Sequence, residues 1–99
     1  IIVFCMAELI RKMRVQISDV AFYEVKIWKV PKSDFFVEGL KYSMVIIENE
    51  KRVLGYDNER GKSHHKHVGG KEFFYDYKGI ELLLGEFEKD IEKFRKVKK

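Results

Sequence analysis

Apolar and polar residues alternate along residues 8–17 (ELIRKMRVQI). Leu9, Met13, Val15 and Ile17 fall on one side, and Lys12, Arg14 and Gln16 on the other. A period of two is that of a strand with one face buried. Ser18-Asp19 reads as a turn. The alternation then resumes over residues 20–30, where Tyr23, Val25 and Ile27 oppose Glu24, Lys26 and Trp28. The two runs predict a hairpin. Pro31 ends the second strand because it has no amide donor, and residues 31–39 form a connection carrying Phe35 and Phe36. Residues 40–48 (LKYSMVIIE) predict a third strand, the most apolar of the set. Asn49-Glu50-Lys51 turns the chain into a fourth strand at residues 52–57, and residues 71–77 (KEFFYDY) predict a fifth.

From Gly79 the period changes. Ile80, Leu83, Leu84, Phe87, Ile91 and Phe94 recur at helical spacing, with Glu and Lys on the rest of the wheel. A helix over residues 79–97 would supply the second layer that a half-buried sheet requires. Its last turn is basic, the sign that the helix dipole favours there. The expected fold is therefore α+β: an antiparallel meander of four to five strands covered on one face by a long C-terminal helix. Residues 1–99 read as a single domain.

Ile1-Ile2-Val3-Phe4-Cys5 is apolar but far too short to span a bilayer. It also lacks the basic region and small-residue cleavage site of a signal peptide. Either Met6 is the natural initiator and residues 1–5 are not native, or those residues lengthen the first strand. No membrane association is expected, and a cytoplasmic location is.

Composition narrows the function classes. A hydrophobic content of 45% with 14% aromatics over 99 residues excludes a disordered chain. The formal charge of +4 and pI of about 9.1 permit an anionic partner without demanding one, since 16 acidic residues oppose 20 basic ones. Cys5 is the only cysteine. An intramolecular disulfide is therefore excluded, as is a zinc site built on two cysteines of this chain. One glutamine, two asparagines, no threonine and abundant Lys and Glu match a thermophile's preferences.

Reactive chemistry concentrates in Gly55–Gly70, which holds all three histidines, four glycines, Asp57, Asn58, Arg60, Lys62 and Lys66. The bland reading of this stretch is a polar loop with imidazoles facing water. The functional reading starts from imidazole, whose ordinary pKa lies closest to neutrality. Cleaving RNA through its own 2′-hydroxyl needs a base at that hydroxyl, an acid at the leaving 5′-oxygen and cations on the phosphorane. His64, His65 and His67 can share the acid and base roles. Asp57 can orient one imidazole, and Arg60, Lys62 or Lys66 can stabilise the developing charge. Asn58 and Tyr56 join them as candidate nucleic-acid contacts, and Gly61, Gly69 and Gly70 allow close backbone approach.

A metal site is the competing chemistry: two histidines with Asp57 would leave an open position, but the spacing matches no standard zinc signature. Ser63 beside His64 lacks a nucleophile elbow. Gly69-Gly70 is no phosphate-binding glycine pattern and reads as a turn into the fifth strand. Tyr56, Trp28, Phe35, Phe36 and Tyr42 could stack on unpaired bases, although strand aromatics are more often core.

Three segments, AELIRKMRV, VKIWKVPKS and KYSMVIIENEKRVLGYDNERGKSHHKHVGG, resemble the TumE family, counted among the toxins of type II toxin–antitoxin systems. The likeness runs from Met6 into the C-terminal helix. Its most specific part falls on Tyr56, Asp57, Asn58, Gly61, His64, His65 and His67. It implies a cognate antitoxin protein as partner and, as such toxins commonly act on RNA or translation, RNA as target. The leading expectation is a toxin-like, metal-independent ribonuclease with no cofactor. The alternatives are a non-enzymatic protein- or nucleic-acid-binding module and a small metal-dependent hydrolase.

Overall fold

The computed structural model describes residues 8–34, 36, 38–58 and 63–97. Its strands are β1 (Glu8–Ser18), β2 (Ala21–Lys29), β3 (Leu40–Glu48), β4 (Lys51–Asp57), β5 (His65–Val68) and β6 (Lys71–Phe74), followed by helix α1 (Ile80–Val97). They form one sheet in the order β1-β2-β3-β4-β5-β6, antiparallel throughout. The α+β meander with a C-terminal helix is as expected, but there are six strands rather than four to five.

The additional strand is β5, in the segment expected to be loop. Four residues, His-Lys-His-Val, are too few and too polar to show an apolar alternation. They pair because β4 offers a template on one side and the Gly69-Gly70 turn returns β6 on the other. Gly69 adopts φ 62°, which glycine takes without a Cβ penalty. The aromatic run after it is paired only over Lys71–Phe74, short of the expected residue 77.

One sheet face is apolar and faces α1. Val25, Ile27, Tyr42, Met44, Ile46 and Tyr56 are buried against Leu83, Phe87 and Ile91. Phe87 meets Tyr23 and Tyr56 edge to face. Two hydroxyls fasten helix to sheet: Tyr56 donates to Asp90 at 2.5 Å and Tyr75 to Glu86 at 2.7 Å. Asp90 and Glu86 are four apart and so share a helix side. Burial and the neighbouring carboxylates push the Tyr56 and Tyr75 phenols well above their ordinary range, so both remain donors.

Three register shifts interrupt the pairing; one leaves Ile17 as the extra residue between Gln16 and Ser18 at the hairpin end, and the other two change which side chains share a face. Leu9 pairs Trp28 and Arg11 pairs Ile27, leaving Ile10 as the extra residue. Leu9, expected beside Met13, therefore falls on the Trp28 face and is exposed. In β4, Leu54 pairs Ile46 and Arg52 pairs Ile47, so Val53 is the extra residue. Val53 and Leu54 both pack on the core, and Arg52 passes to the opposite face. A bulge re-aims side chains in this way. Among the described residues, no element packs over that opposite face.

A candidate acid–base site on the open sheet face

Cross-strand partners in an antiparallel sheet point to the same side. Asp57 pairs His65 and Gly55 pairs His67 in β4–β5, while His67 pairs Glu72 in β5–β6. Asp57, His65, His67 and Glu72 thus meet on the open face, where the Val53 bulge also delivers Arg52.

The contacts follow this register. His67 Nε2 lies 3.1 Å from Asp57 Oδ2, and its Nδ1 lies 3.1 Å from an Arg52 guanidinium nitrogen. With the ring proton on Nε2, the imidazole donates to Asp57 and accepts from Arg52. The neutral ring then satisfies both nitrogens. His65 Nδ1 approaches Glu72 Oε2 to 2.7 Å, close as an ion pair but not aligned as a hydrogen bond. Glu72 Oε1 is 3.9 Å from His67 Nδ1, so one carboxylate stands between the two rings.

Gly55 makes room for this arrangement. A Cβ there would sit 3.0 Å from Arg52 Cδ and 3.3 Å from both Met44 O and Val45 Cγ1. The arginine stem lies over the bare glycine, directly across from His67.

His64 belongs to a different site. Its Nδ1 is 2.7 Å from the Tyr42 hydroxyl, and its ring stacks on Tyr77 at 4.1 Å and 1°. Tyr42 is core on the helix side of the sheet. Burial lowers the His64 pKa from its ordinary value; Glu38, 3.9 Å from Nε2, opposes that shift and His65 adds to it. Burial pushes the Tyr42 and Tyr77 phenols up. The favoured arrangement is a protonated phenol donating to a neutral imidazole.

Other expected site residues have structural engagements. Asn58 is 3% exposed. It accepts from the Tyr42 amide and donates to the Leu40 carbonyl, each at 2.8 Å, extending the β3–β4 pairing by a side chain. Tyr56 is 1% exposed and is held by Asp90. Lys66 lies over the Tyr56 ring at 5.2 Å, on the helix side and away from the cluster. Arg60, Gly61 and Lys62 lie outside the described residues, as do Phe35 and residues 1–5.

The structure thus unites Asp57, His65 and His67, sets His64 apart, and adds Arg52, Glu72 and Gly55. Glu72 was within reach of the sequence. A two-residue turn at Gly69-Gly70 dictates Val68↔Lys71 and His67↔Glu72. Arg52 carried no such signal, because only the bulge puts it on this face. Among the described residues, no group of three His, Cys, Asp or Glu side chains is arranged to hold a metal ion.

The molecule is thus a small antiparallel sheet backed by one helix, with an imidazole–carboxylate cluster of Asp57, His65, His67 and Glu72 on its bare face. The chain belongs to the Toxin TumE family, whose profile matches residues 6–95. No curated protein and no solved structure matches it. Membership of a toxin family implies an antitoxin partner. No described helix is long and apolar enough to cross a membrane.

Proposed function

We propose that the protein is an RNA-directed toxin that cleaves a phosphodiester at the open-face cluster without a metal. The carrying observation is the pair of imidazoles on β5, His65 and His67, each beside a carboxylate, with the Arg52 guanidinium 3.1 Å from His67. Alternate residues of a strand lie about 6.6 Å apart. That spacing suits an acid and a base working on opposite sides of one phosphorus.

In this reading a substrate phosphate draws the Arg52 guanidinium away from His67 Nδ1, because a charge-assisted, bidentate contact is the stronger one. His67 Nδ1 then takes the 2′-hydroxyl proton, and Asp57 stabilises the resulting imidazolium. The 2′-oxygen bonds to phosphorus while Arg52 stabilises the equatorial charge. The bond from phosphorus to O5′ breaks, and protonated His65 gives O5′ its proton. The products are a 2′,3′-cyclic phosphate and a 5′-hydroxyl. Exchange of protons with water resets both rings. The cytoplasm, where RNA and an antitoxin meet the protein, is the expected site of action.

The test is RNA cleavage in excess EDTA with analysis of the ends. Cleavage that leaves cyclic-phosphate termini and disappears in folded His65→Ala and His67→Ala variants supports the mechanism. Full toxicity in both variants would transfer the function to binding without catalysis. Cleavage that EDTA abolishes would transfer it to a metal-dependent hydrolase.

A further inference from the structure

The registers of all five strand pairs link one residue per strand into a single row across the open face. Lys12 pairs Lys26, Lys26 pairs Ser43, Ser43 pairs Asp57, Asp57 pairs His65 and His65 pairs Phe74. With strands about 4.8 Å apart, the row is about 24 Å long. It starts on lysines, passes through the acid–base cluster and ends on Phe74.

Charge is distributed unevenly along it. The carboxylates Asp57 and Glu72 both lie at the histidine end. On β1–β3 the face carries Lys12, Arg14, Lys26 and Lys41 against Glu24, which already neutralises Arg14 at 3.2 Å and lies 3.5 Å from Lys26. Flat apolar groups accompany the cations. The Lys41 ammonium stands 5.5 Å over the Trp28 ring and the Arg14 guanidinium 4.3 Å over Phe22. At the far end Phe74 is 72% exposed. An interleaving of cations and ring faces is what a single nucleic-acid strand requires, phosphates on the one and bases on the other.

We propose that the open face is a track for single-stranded RNA. It runs across the strands from Lys12 and Lys26, past a base stacked at Trp28 beside Lys41, to the phosphate at His65 and His67, with Phe74 stacking the base beyond. The track rests on the RNA reading above and adds to it the substrate's strandedness and path. Duplex RNA is excluded because its bases already stack on each other and offer no free ring face. Trp28 becomes a specificity-determining contact remote from the reacting bond.

The chain has one tryptophan, so Trp28 reports its own contact. The probe is an oligouridylate of about ten nucleotides, 2′-O-methylated so that it cannot be cleaved. The expected result is quenching of the tryptophan fluorescence by the single strand and none by the same length of duplex. By anisotropy of the labelled probe, Trp28→Ala weakens binding about tenfold and Trp28→Phe restores most of it. Lys12→Glu and Lys26→Glu weaken binding and flatten its salt dependence, while thermal melting shows each variant folded. Binding by the wild type that these variants leave unchanged overturns the track and spares the RNA reading. Equal affinity for duplex overturns it likewise. A wild-type protein that neither binds nor cleaves any RNA overturns both. If the same variants lose neutralisation by the cognate antitoxin while keeping RNA affinity, the face is a protein interface and the track is wrong.

Discussion

The two faces of this sheet are built from alternate residues of the same strands, yet they obey different rules. On the helix side, Val25, Met44, Ile46 and Tyr56 are buried with Leu83 and Phe87. The polar atoms admitted there are satisfied in pairs, as in Tyr56–Asp90 and Tyr75–Glu86. On the open side, charged groups share partners: Glu72 stands between His65 and His67, and His67 between Asp57 and Arg52. The first arrangement has one solution and holds the fold. The second has exchangeable partners, which a site needs if a substrate is to displace one of them. The histidines divide along the same line, since His64 is stacked among tyrosines while His65 and His67 sit among carboxylates on the other face, His67 buried there between Asp57 and Arg52.

The division can be broken by substitution. The largest expected effect is on the proposed chemistry: if the cluster cleaves RNA, His67→Ala lowers the cleavage rate by about 10² to 10⁴ with the fold retained in thermal melting, whereas His64→Ala leaves the rate near wild type. A rate lost equally in both would place all three histidines in one site. Next in size is Leu83→Ala, which empties a fully buried position. It should cost about 2–5 kcal/mol in chemical denaturation while the residual folded protein cleaves normally.

Gly55→Ala tests how Arg52 is placed. The new Cβ would meet Arg52 Cδ at 3.0 Å. The flexible arginine is the group that moves furthest, so kcat falls about tenfold, and crowding of the Met44 carbonyl and Val45 at 3.3 Å lowers stability as well. Equal kcat would mean that the guanidinium has no need of the bare glycine.

His64 predicts a pH effect of definite sign. Its folded pKa lies below the ordinary 6.5. Between the two values the unfolded chain binds a proton that the native chain does not, so stability falls as the pH drops below about 6.5. His64→Gln should flatten the decline of melting temperature from pH 7.5 to 5 relative to wild type. An unchanged slope would show that His64 titrates alike in both states. The smallest effect is at the β3–β4 turn, where Asn49 and Glu50 adopt φ of 52° and 65°. Glu50→Gly relieves a left-handed non-glycine and should stabilise by about 0.5–1 kcal/mol in urea titration, leaving cleavage alone.

Much of this was legible in the chain. Tyr23, Val25 and Ile27 show their shared face by simple alternation, and Ile80 through Phe94 show the helix. Asp57, His65 and His67 were singled out by residue type. Asn58 and Tyr56 were read as ligand contacts because a polar or aromatic residue beside reactive ones looks functional. Their burial becomes visible only when β3 supplies the backbone groups and α1 the carboxylate that hold them. In sequence β5 resembles a loop because its positions on the open face are histidines, and an open face imposes no apolar signature.

The sequence by itself determined the local periods: two along the long strands, 3.6 along the helix, and the turns at Asn49 and Gly69. These depend on residues within a few positions of one another. The tertiary structure alone decided which side chains share a face. Pairing registers and the extra residues Ile10 and Val53 are settled by the fit of whole strands to their neighbours, and a slip of one residue transfers every side chain to the other side. That is why Arg52, at the start of the expected fourth strand, ends beside His67, and why adjacent His64 and His65 lie in different sites.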